Sequence, residues 1–157
     1  ATLEITYTGT VAATATVDGA GNVNTVTIDY EDTDGNGSPS EVKTNETIYT
    51  YAVAIKKVDQ NGHNLAGAKF SLPFYVNATA DTDGAYIYAG TTAGTGLVNE
   101  LTPPADGLII IKGLAKGDYT FTETEAPAGY NKLTDTVTVT AAQTGSASSM
   151  IPAMTQK

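Results

Sequence analysis

Short stretches in which apolar and polar residues alternate recur along the chain. Leu3, Ile5 and Tyr7 alternate with polar neighbours, and residues 26–30 repeat the pattern with Val, Ile and Tyr. A period of two residues is typical of a β-strand with one buried face. No stretch shows the wider apolar spacing of an amphipathic helix. The pattern therefore predicts an all-β protein.

The alternation divides the chain into two strand-rich parts. Residues 1–32 predict a three-stranded meander, which we interpret as the trailing strands of a preceding β-sandwich domain. Residues 33–45 are polar and contain Gly and Pro, and we interpret them as a linker, with a long surface loop as the alternative. Residues 46–157 contain several short strand patterns at regular intervals, which predict one antiparallel β-sandwich domain.

Two segments of the second part are less regular. Residues 89–107 are rich in Gly, Thr and Pro and predict an excursion from the sandwich, with a helical turn over residues 93–101. Residues 148–155 predict a last strand, and Pro152 favours the edge of a sheet for it, because proline has no N–H to donate to a neighbouring strand.

Composition narrows the functional classes. The chain has no Cys, which excludes disulfide frameworks and thiol chemistry. It carries a formal charge of −9 with eight Lys and no Arg, so nucleic acid is not an expected partner. No apolar run reaches the length of a membrane span, and no signal peptide is visible, so membrane insertion is not expected in this sequence.

Two charged residues fall on strand faces that otherwise carry bulky apolar side chains. Lys57 continues the face of Val53 and Ile55, and Glu123 continues the face of Phe121. In one interpretation, both residues lie at strand ends and their charged groups reach water. If both faces point inward, burial favours the neutral forms, and a proton passed from Lys to Glu leaves a nucleophilic amine beside a neutral acid. This is the chemistry required to form an intramolecular Lys–Asn amide.

Two motifs around these residues resemble a known family. Residues 117–130, GDYTFTETEAPAGY, and residues 53–70, with VAIKKVD followed by LAGAKF, resemble the Cna-B-type domains of Gram-positive surface proteins. The resemblance implies an Ig-like, prealbumin-like β-sandwich. It also implies that Lys57 is the nucleophile of an isopeptide bond and that Glu123 is its catalytic acid. Lys56 is the neighbouring alternative, but its parity places it on the other strand face.

The acceptor of the bond is the point at which the chain departs from the family. The resemblance implies an Asn or Asp on the last strand, but no Asn follows Asn131 and no Asp follows Asp135. We expect that the chain is a fragment cut before the acceptor and the sorting signal; the alternative is that this domain never closes the bond. Asp32 ends a segment similar to the closing strand of a preceding pilin domain, where it is a candidate acceptor.

The resemblance implies a shaft subunit of a sortase-assembled surface pilus, located outside the cell and anchored to the cell wall. Neighbouring pilin subunits and sortase are the expected partners. The alternative is an adhesive tip or minor pilin that binds a host protein or glycan through an insertion at residues 76–107. We expect no enzymatic turnover beyond a single self-cross-linking event.

No cofactor is expected, and the one metal candidate is weak. Asp32, Asp34 and Asn36 resemble the front of a calcium loop, but Lys43 stands where such a loop carries its bidentate Glu. A flexible acidic turn is the simpler interpretation. His63 is predicted to be an exposed loop residue, since catalytic or metal-binding roles need partner residues.

Overall fold

Ten β-strands make up the regular structure of the described residues. The computed structural model describes residues 6, 8–9, 12, 14–17, 20–31, 39–142 and 153–156. In chain order the strands are β1 (Asn22–Glu31), β2 (Pro39–Ile48), β3 (Tyr51–Lys56), β4 (Lys69–Asn77), β5 (Ala85–Ile87), β6 (Leu97–Leu101), β7 (Leu108–Leu114), β8 (Gly117–Glu125), β9 (Val137–Ala141) and β10 (Ala153–Gln156). No helix in the described part of the chain is long and apolar enough to cross a membrane.

The strands from β3 onward form a sandwich of two four-stranded sheets. One sheet has the order β10-β3-β7-β5, and the other has the order β6-β4-β8-β9. Most neighbours are antiparallel, but β10 pairs with β3 and β5 pairs with β7 in parallel. The predicted β-sandwich is confirmed, with parallel pairing at both edges of the first sheet.

The alternation seen in the sequence produces the core between the two sheets. Along β4, Phe70, Leu72, Phe74 and Val76 are buried, while the residues between them face outward. The second sheet also contributes Phe121, and the first contributes Val53, Ile55, Ile109 and Ile111. Burying side chains of this size stabilises the fold by about 1.5–3 kcal/mol each. The core is therefore apolar enough to hold the sandwich together.

Strands β1 and β2 form a separate antiparallel hairpin. Their register runs from the Asn22–Ile48 pair to the Glu31–Pro39 pair. The hairpin joins the sandwich near an isolated parallel bridge between Val17 and Thr50, where the Thr50 hydroxyl also donates to the carbonyl of Thr16. Most of the strands predicted within residues 2–17 lie outside the described residues.

The structure differs from the predicted linker. Residues 39–45, assigned above to the 33–45 linker, form the first part of β2. Their pattern is mostly polar because the hairpin is exposed, and backbone hydrogen bonds to β1 hold the strand without an apolar face. The division into residues 1–32, 33–45 and 46–157 stays a prediction.

The predicted excursion at residues 89–107 also differs, because the chain there is tied into the sandwich. Residues 97–101 are strand β6 and not a helical turn. Before them, the N–H of Tyr75 donates to the carbonyl of Gly90, the N–H of Ala89 donates to the carbonyl of Tyr75, and Val76 forms an isolated bridge with Tyr88. Apolar residues at positions 97, 98 and 101 gave the segment a helical spacing, but pairing with β4 decides its conformation.

Candidate functional site

Lys57 directly follows β3 and is buried, with 4% of its surface exposed. Its backbone is held on both sides: its N–H donates to the carbonyl of Gly107, and its own carbonyl accepts from the N–H of Leu65. Because the inward face of β3 carries Val53 and Ile55, the next residue of the same parity also points between the sheets. Strand β3 therefore positions the side-chain amine of Lys57 in the apolar interior.

Gly107 makes this anchoring possible. Its φ angle is +74°, and a Cβ at this position would clash with the carbonyl oxygen of Lys57. Glycine tolerates both the positive φ and the close approach. The turn before β7 can therefore pack directly against the Lys57 backbone.

Glu123 lies on β8 in the opposite sheet, with 1% of its surface exposed. It shares the inward face of β8 with Phe121, and its Cα is paired with that of Phe70 on β4. One carboxyl oxygen, Oε2, accepts a 2.7 Å hydrogen bond from the backbone N–H of Leu133. That donor belongs to the connection between β8 and β9, so the carboxyl group is fixed from its own sheet.

Lys57 and Glu123 meet inside the sandwich. Nζ of Lys57 lies 2.9 Å from Oε1 of Glu123. The distance is that of an ion pair, but Oε1 has no hydrogen bond of good geometry within the described residues. Removing two charges from water costs several kcal/mol per ion, so neither group is stable at this position without the other. The two side chains are therefore buried as a pair, each as the polar partner of the other.

The structure brings together the two residues that the sequence analysis singled out by parity and resemblance. Lys56 is the last residue of β3 and is only half-buried, as its opposite parity predicts. Asp32, Asp34 and Asn36 lie outside the described residues. Within the described part of the chain, no group of three or more His, Cys, Asp or Glu side chains could hold a metal ion.

His63 is exposed, with 77% of its side chain in solvent, and it contacts Asp59 in the turn after Lys57. Asp59 accepts hydrogen bonds from the backbone N–H groups of Asn61 and His63. The His63 N–H lowers the pKa of Asp59 the most, while partial burial opposes this effect. The group organises the turn.

A second group of charged side chains lies on the outer side of the first sheet. Lys112 on β7 places Nζ 3.1 Å from Oδ2 of both Asp81 and Asp83. The N–H of Ala85 lowers the pKa of Asp81 the most, burial opposes it, and Lys112 lowers it further. Burial alone would lower the pKa of Lys112, but its hydrogen bonds to Asp83 and Asp81 raise it overall. This cluster fixes the turn before β5.

Sequence reasoning missed the backbone groups of the site. The Leu133 N–H is invisible in the sequence, because every residue except proline carries one. Gly107 had a partial signal, since Pro104-Ala105-Asp106-Gly107 has the composition of a turn. Its approach to Lys57, however, depends on how the sheets pack.

Comparison with known proteins places the chain in a family. The family model described as the SpaA prealbumin-like fold domain matches residues 51–151. Among solved structures, the chain is similar to the T6 backbone pilin of Streptococcus pyogenes, at 26% identity and a TM-score of 0.55. It is also similar to the pilus 2b backbone protein of group B streptococcus, at 27% identity and a TM-score of 0.53.

A third solved structure, the 35 kDa C-terminal fragment of a major pilin of Streptococcus agalactiae, shares the fold at 24% identity and a TM-score of 0.62. These matches cover 83%, 91% and 90% of this chain, but only 27%, 50% and 55% of the three relatives. No curated protein sequence matches the chain. By its fold and by the family match, the chain belongs to the SpaA-type prealbumin-like domains, the Cna-B-type fold found in pilin backbone proteins.

Proposed function

We propose that the chain is a structural segment of a Gram-positive surface pilus, and that Lys57 and Glu123 form an intramolecular isopeptide bond site. The buried 2.9 Å contact between the two side chains is the observation that carries the proposal. The similarity to two streptococcal pilus backbone proteins supports the shaft role. In this role the protein is extracellular and anchored to the cell wall.

The chemistry requires three proton transfers through Glu123 and one substitution at the acceptor carbonyl. Lys57 gives a proton to Glu123, and the neutral Nζ attacks the side-chain carbonyl carbon of an Asn acceptor. The new C–N bond forms as the acid gives its proton to the departing nitrogen and the resulting carboxylate takes one of the two hydrogens of Nζ, so that one ammonia leaves and Glu123 ends protonated; with an Asp acceptor, one water leaves. The reaction runs once per chain and has no outside substrate.

The acceptor is expected beside β3, where the parallel strand β10 runs. Ala153 to Gln156 pair with Val53 to Lys56, and this stretch contains neither Asn nor Asp. Its carboxamide residue, Gln156, is paired with Lys56 and not with Lys57. Identifying the acceptor is therefore part of the test, with Asn131 and Gln156 as the carboxamide residues of neighbouring elements.

A covalent bond at this position has a mechanical purpose. β10 is a four-residue strand at the edge of its sheet, so few hydrogen bonds hold it against a pulling force. An amide bond from Lys57 would join strands independently of those hydrogen bonds and, unlike a disulfide, would resist reduction. This property suits a subunit that carries tension between neighbouring pilin subunits after assembly by sortase.

The deciding experiment is an intact-mass measurement of the whole chain. We propose that the acceptor lies within this chain, in contrast to the expectation from the sequence alone, so we expect a deficit of one ammonia, or of one water, that disappears in Lys57→Ala and in Glu123→Gln. Lys56→Ala and Glu125→Gln are the matched controls, because they remove the same groups at the adjacent half-buried and exposed positions. Fragmentation of the linked peptide then identifies the acceptor. An unreacted mass for the unmodified chain would reject the isopeptide part of the proposal.

The adhesive alternative is not favoured. It depended on residues 76–107 forming an insertion that protrudes from the sandwich, but this segment contains β5 and β6 and pairs with β4 and β7. The similar backbone pilins also favour a shaft role over a tip role.

A further inference from the structure

The two carboxyl oxygens of Glu123 have different surroundings. Oε2 accepts the Leu133 N–H at 2.7 Å, while Oε1 lies 2.9 Å from Nζ of Lys57. We propose that the Leu133 N–H is a positioning group that keeps the acidic hydrogen of Glu123 on Oε1, the oxygen that faces Lys57. This inference rests on the proposed function, because it concerns the acid of the same site.

The argument follows from what each group can do. A backbone N–H only donates, and a neutral carboxylic acid has one O–H oxygen and one carbonyl oxygen. The carbonyl oxygen of an acid is its better acceptor, so the short 2.7 Å hydrogen bond from the Leu133 N–H favours Oε2 as the carbonyl oxygen. The proton released by Lys57 is therefore received on Oε1, and the same oxygen returns it to the leaving nitrogen. The carboxyl group does not need to rotate between the two steps.

The lack of a hydrogen bond at Oε1 from any residue that the structure describes agrees with this assignment. Within the described residues, Oε1 is a buried oxygen without a hydrogen bond, although Nζ of Lys57 is close. Buried polar atoms are normally satisfied, and an exception at a candidate reactive site calls for a functional explanation. An O–H at Oε1 could donate to the carbonyl oxygen of an acceptor, which would polarise the bond that Nζ attacks.

The connection between β8 and β9 presents this N–H. After β8 the chain turns at Pro127, whose carbonyl accepts from the N–H of Tyr130, and Gly129 has a φ of +83° within the turn. The chain then returns so that the side chain of Leu133 packs against the core. The motif APAGY that follows Glu123 thus has a second role, which is to bring the Leu133 amide back to the acid.

A rate measurement tests the donor itself. In a chemically synthesised full chain, the α-hydroxy analogue of leucine at position 133 replaces the N–H by an ester oxygen and keeps the side chain. After folding from denaturant, we expect the loss of ammonia or water to slow by about three- to tenfold, as for a lost hydrogen bond between neutral groups. Leu133→Ala is the control: it keeps the N–H, loses packing and stability, and should react at the unmodified rate. An ester chain with an unchanged rate, or a Leu133→Ala chain slowed equally, would overturn the inference.

A second measurement does not depend on the cross-link. In Glu123→Gln the introduced carboxamide mimics the neutral acid, with its NH2 in place of the O–H. We expect nuclear Overhauser contacts from that NH2 to the side-chain methylenes of Lys57, with the carbonyl oxygen on Leu133. Contacts between the NH2 and the Leu133 amide hydrogen would overturn the inference. If the unmodified chain shows no mass deficit, the cross-link proposal fails and this measurement still decides the orientation of the acid.

Discussion

Lys57 and Glu123 connect the two sheets of the sandwich through a 2.9 Å contact that is out of solvent. Lys57 follows β3 in one sheet, and Glu123 lies on β8 in the other. Each charge would be costly to bury alone, because an unpaired ion in a low-dielectric interior loses its hydration. The contact therefore makes each residue dependent on the other for stability, whether or not a covalent bond follows.

Lys57→Met should destabilise the protein strongly, since it leaves the carboxyl group of Glu123 buried without its partner. We expect the free energy of unfolding to fall by about 3–5 kcal/mol from the lost pairing alone. Adding Glu123→Gln should recover about half of this loss. The second change removes the remaining charge and keeps an oxygen for the Leu133 N–H, but it buries an NH2 without a partner.

Urea denaturation followed by circular dichroism measures these differences. Lys56→Met is the control at a half-buried neighbouring position and should change the stability by less than about 1 kcal/mol. Equal effects of Lys57→Met and Lys56→Met would contradict the paired burial of Lys57 and Glu123.

Gly107→Ala should displace the backbone beside Lys57. The new Cβ meets the Lys57 carbonyl oxygen at a φ of +74°, so steric overlap is added to backbone strain. We expect a loss of stability above about 2 kcal/mol, whereas φ strain alone costs roughly 1–2 kcal/mol. Gly62→Ala is the matched control, because its φ is +85° and its Cβ position is open. Thermal denaturation of the two variants compares them, and equal effects would mean that Gly107 does not brace Lys57.

The fold and the buried pair of Lys57 and Glu123 could be predicted from the sequence, by strand parity together with the resemblance of two motifs to a known family. Strands with one buried face place every second residue in the core, so Lys57 and Glu123 were marked by the apolar residues that they continue. Strand β2 could not be predicted in this way. It is exposed, and its Val42 and Ile48 are too widely separated to show an alternation.

The hydrogen bond to Oε2 could not be predicted either. It depends on the path of the chain between β8 and β9, which places a backbone N–H beside the acid. The motif APAGY indicates a turn, but its composition does not specify which amide returns to Glu123.

The stability of the turn before β5 should depend on pH at the acid end. The pKa of Asp81 is lowered below its ordinary value of 3.8, chiefly by the N–H of Ala85 and further by Lys112, against the effect of burial. A lowered pKa means that the native state favours the carboxylate. Its contribution is complete above about pH 4 and is lost as the pH falls through the lower native value. Asp81→Asn should flatten this limb of the stability profile, measured by urea denaturation from pH 2 to 6, and an unchanged slope would contradict it.

The raised pKa of Lys112 predicts a loss of stability at the alkaline end of the same pH profile. Its pKa is raised above 10.5 because its hydrogen bonds to Asp83 and Asp81 outweigh burial. Its contribution is complete below about pH 10 and is lost as the pH rises through the raised native value. Lys112→Met should remove this loss between pH 10 and 12, while Lys116→Met, at an exposed position, should preserve it. Stability profiles that coincide for the two variants would show that the cluster does not hold the lysine charge.

The hydrogen bonds of Asn22 at the base of the hairpin provide a test of whether β1 and β2 open independently of the sandwich. The side chain of Asn22 accepts from the N–H of Thr16 at 2.7 Å and donates to the carbonyls of Thr16 at 2.9 Å and of Ile48 at 3.3 Å. Asn22→Ala removes all three hydrogen bonds, each contributing about 0.5–1.5 kcal/mol.

Because β1 and β2 form their own two-stranded sheet, the loss should remain local. Hydrogen exchange measured by mass spectrometry should become faster in residues 22–31 and 41–48 and stay slow in β4 and β8. Asn24→Ala, two residues further along the same strand, is the control and should leave the exchange of the hairpin base slow. Faster exchange throughout the sandwich would instead mean that the hairpin and the two sheets unfold as one cooperative unit.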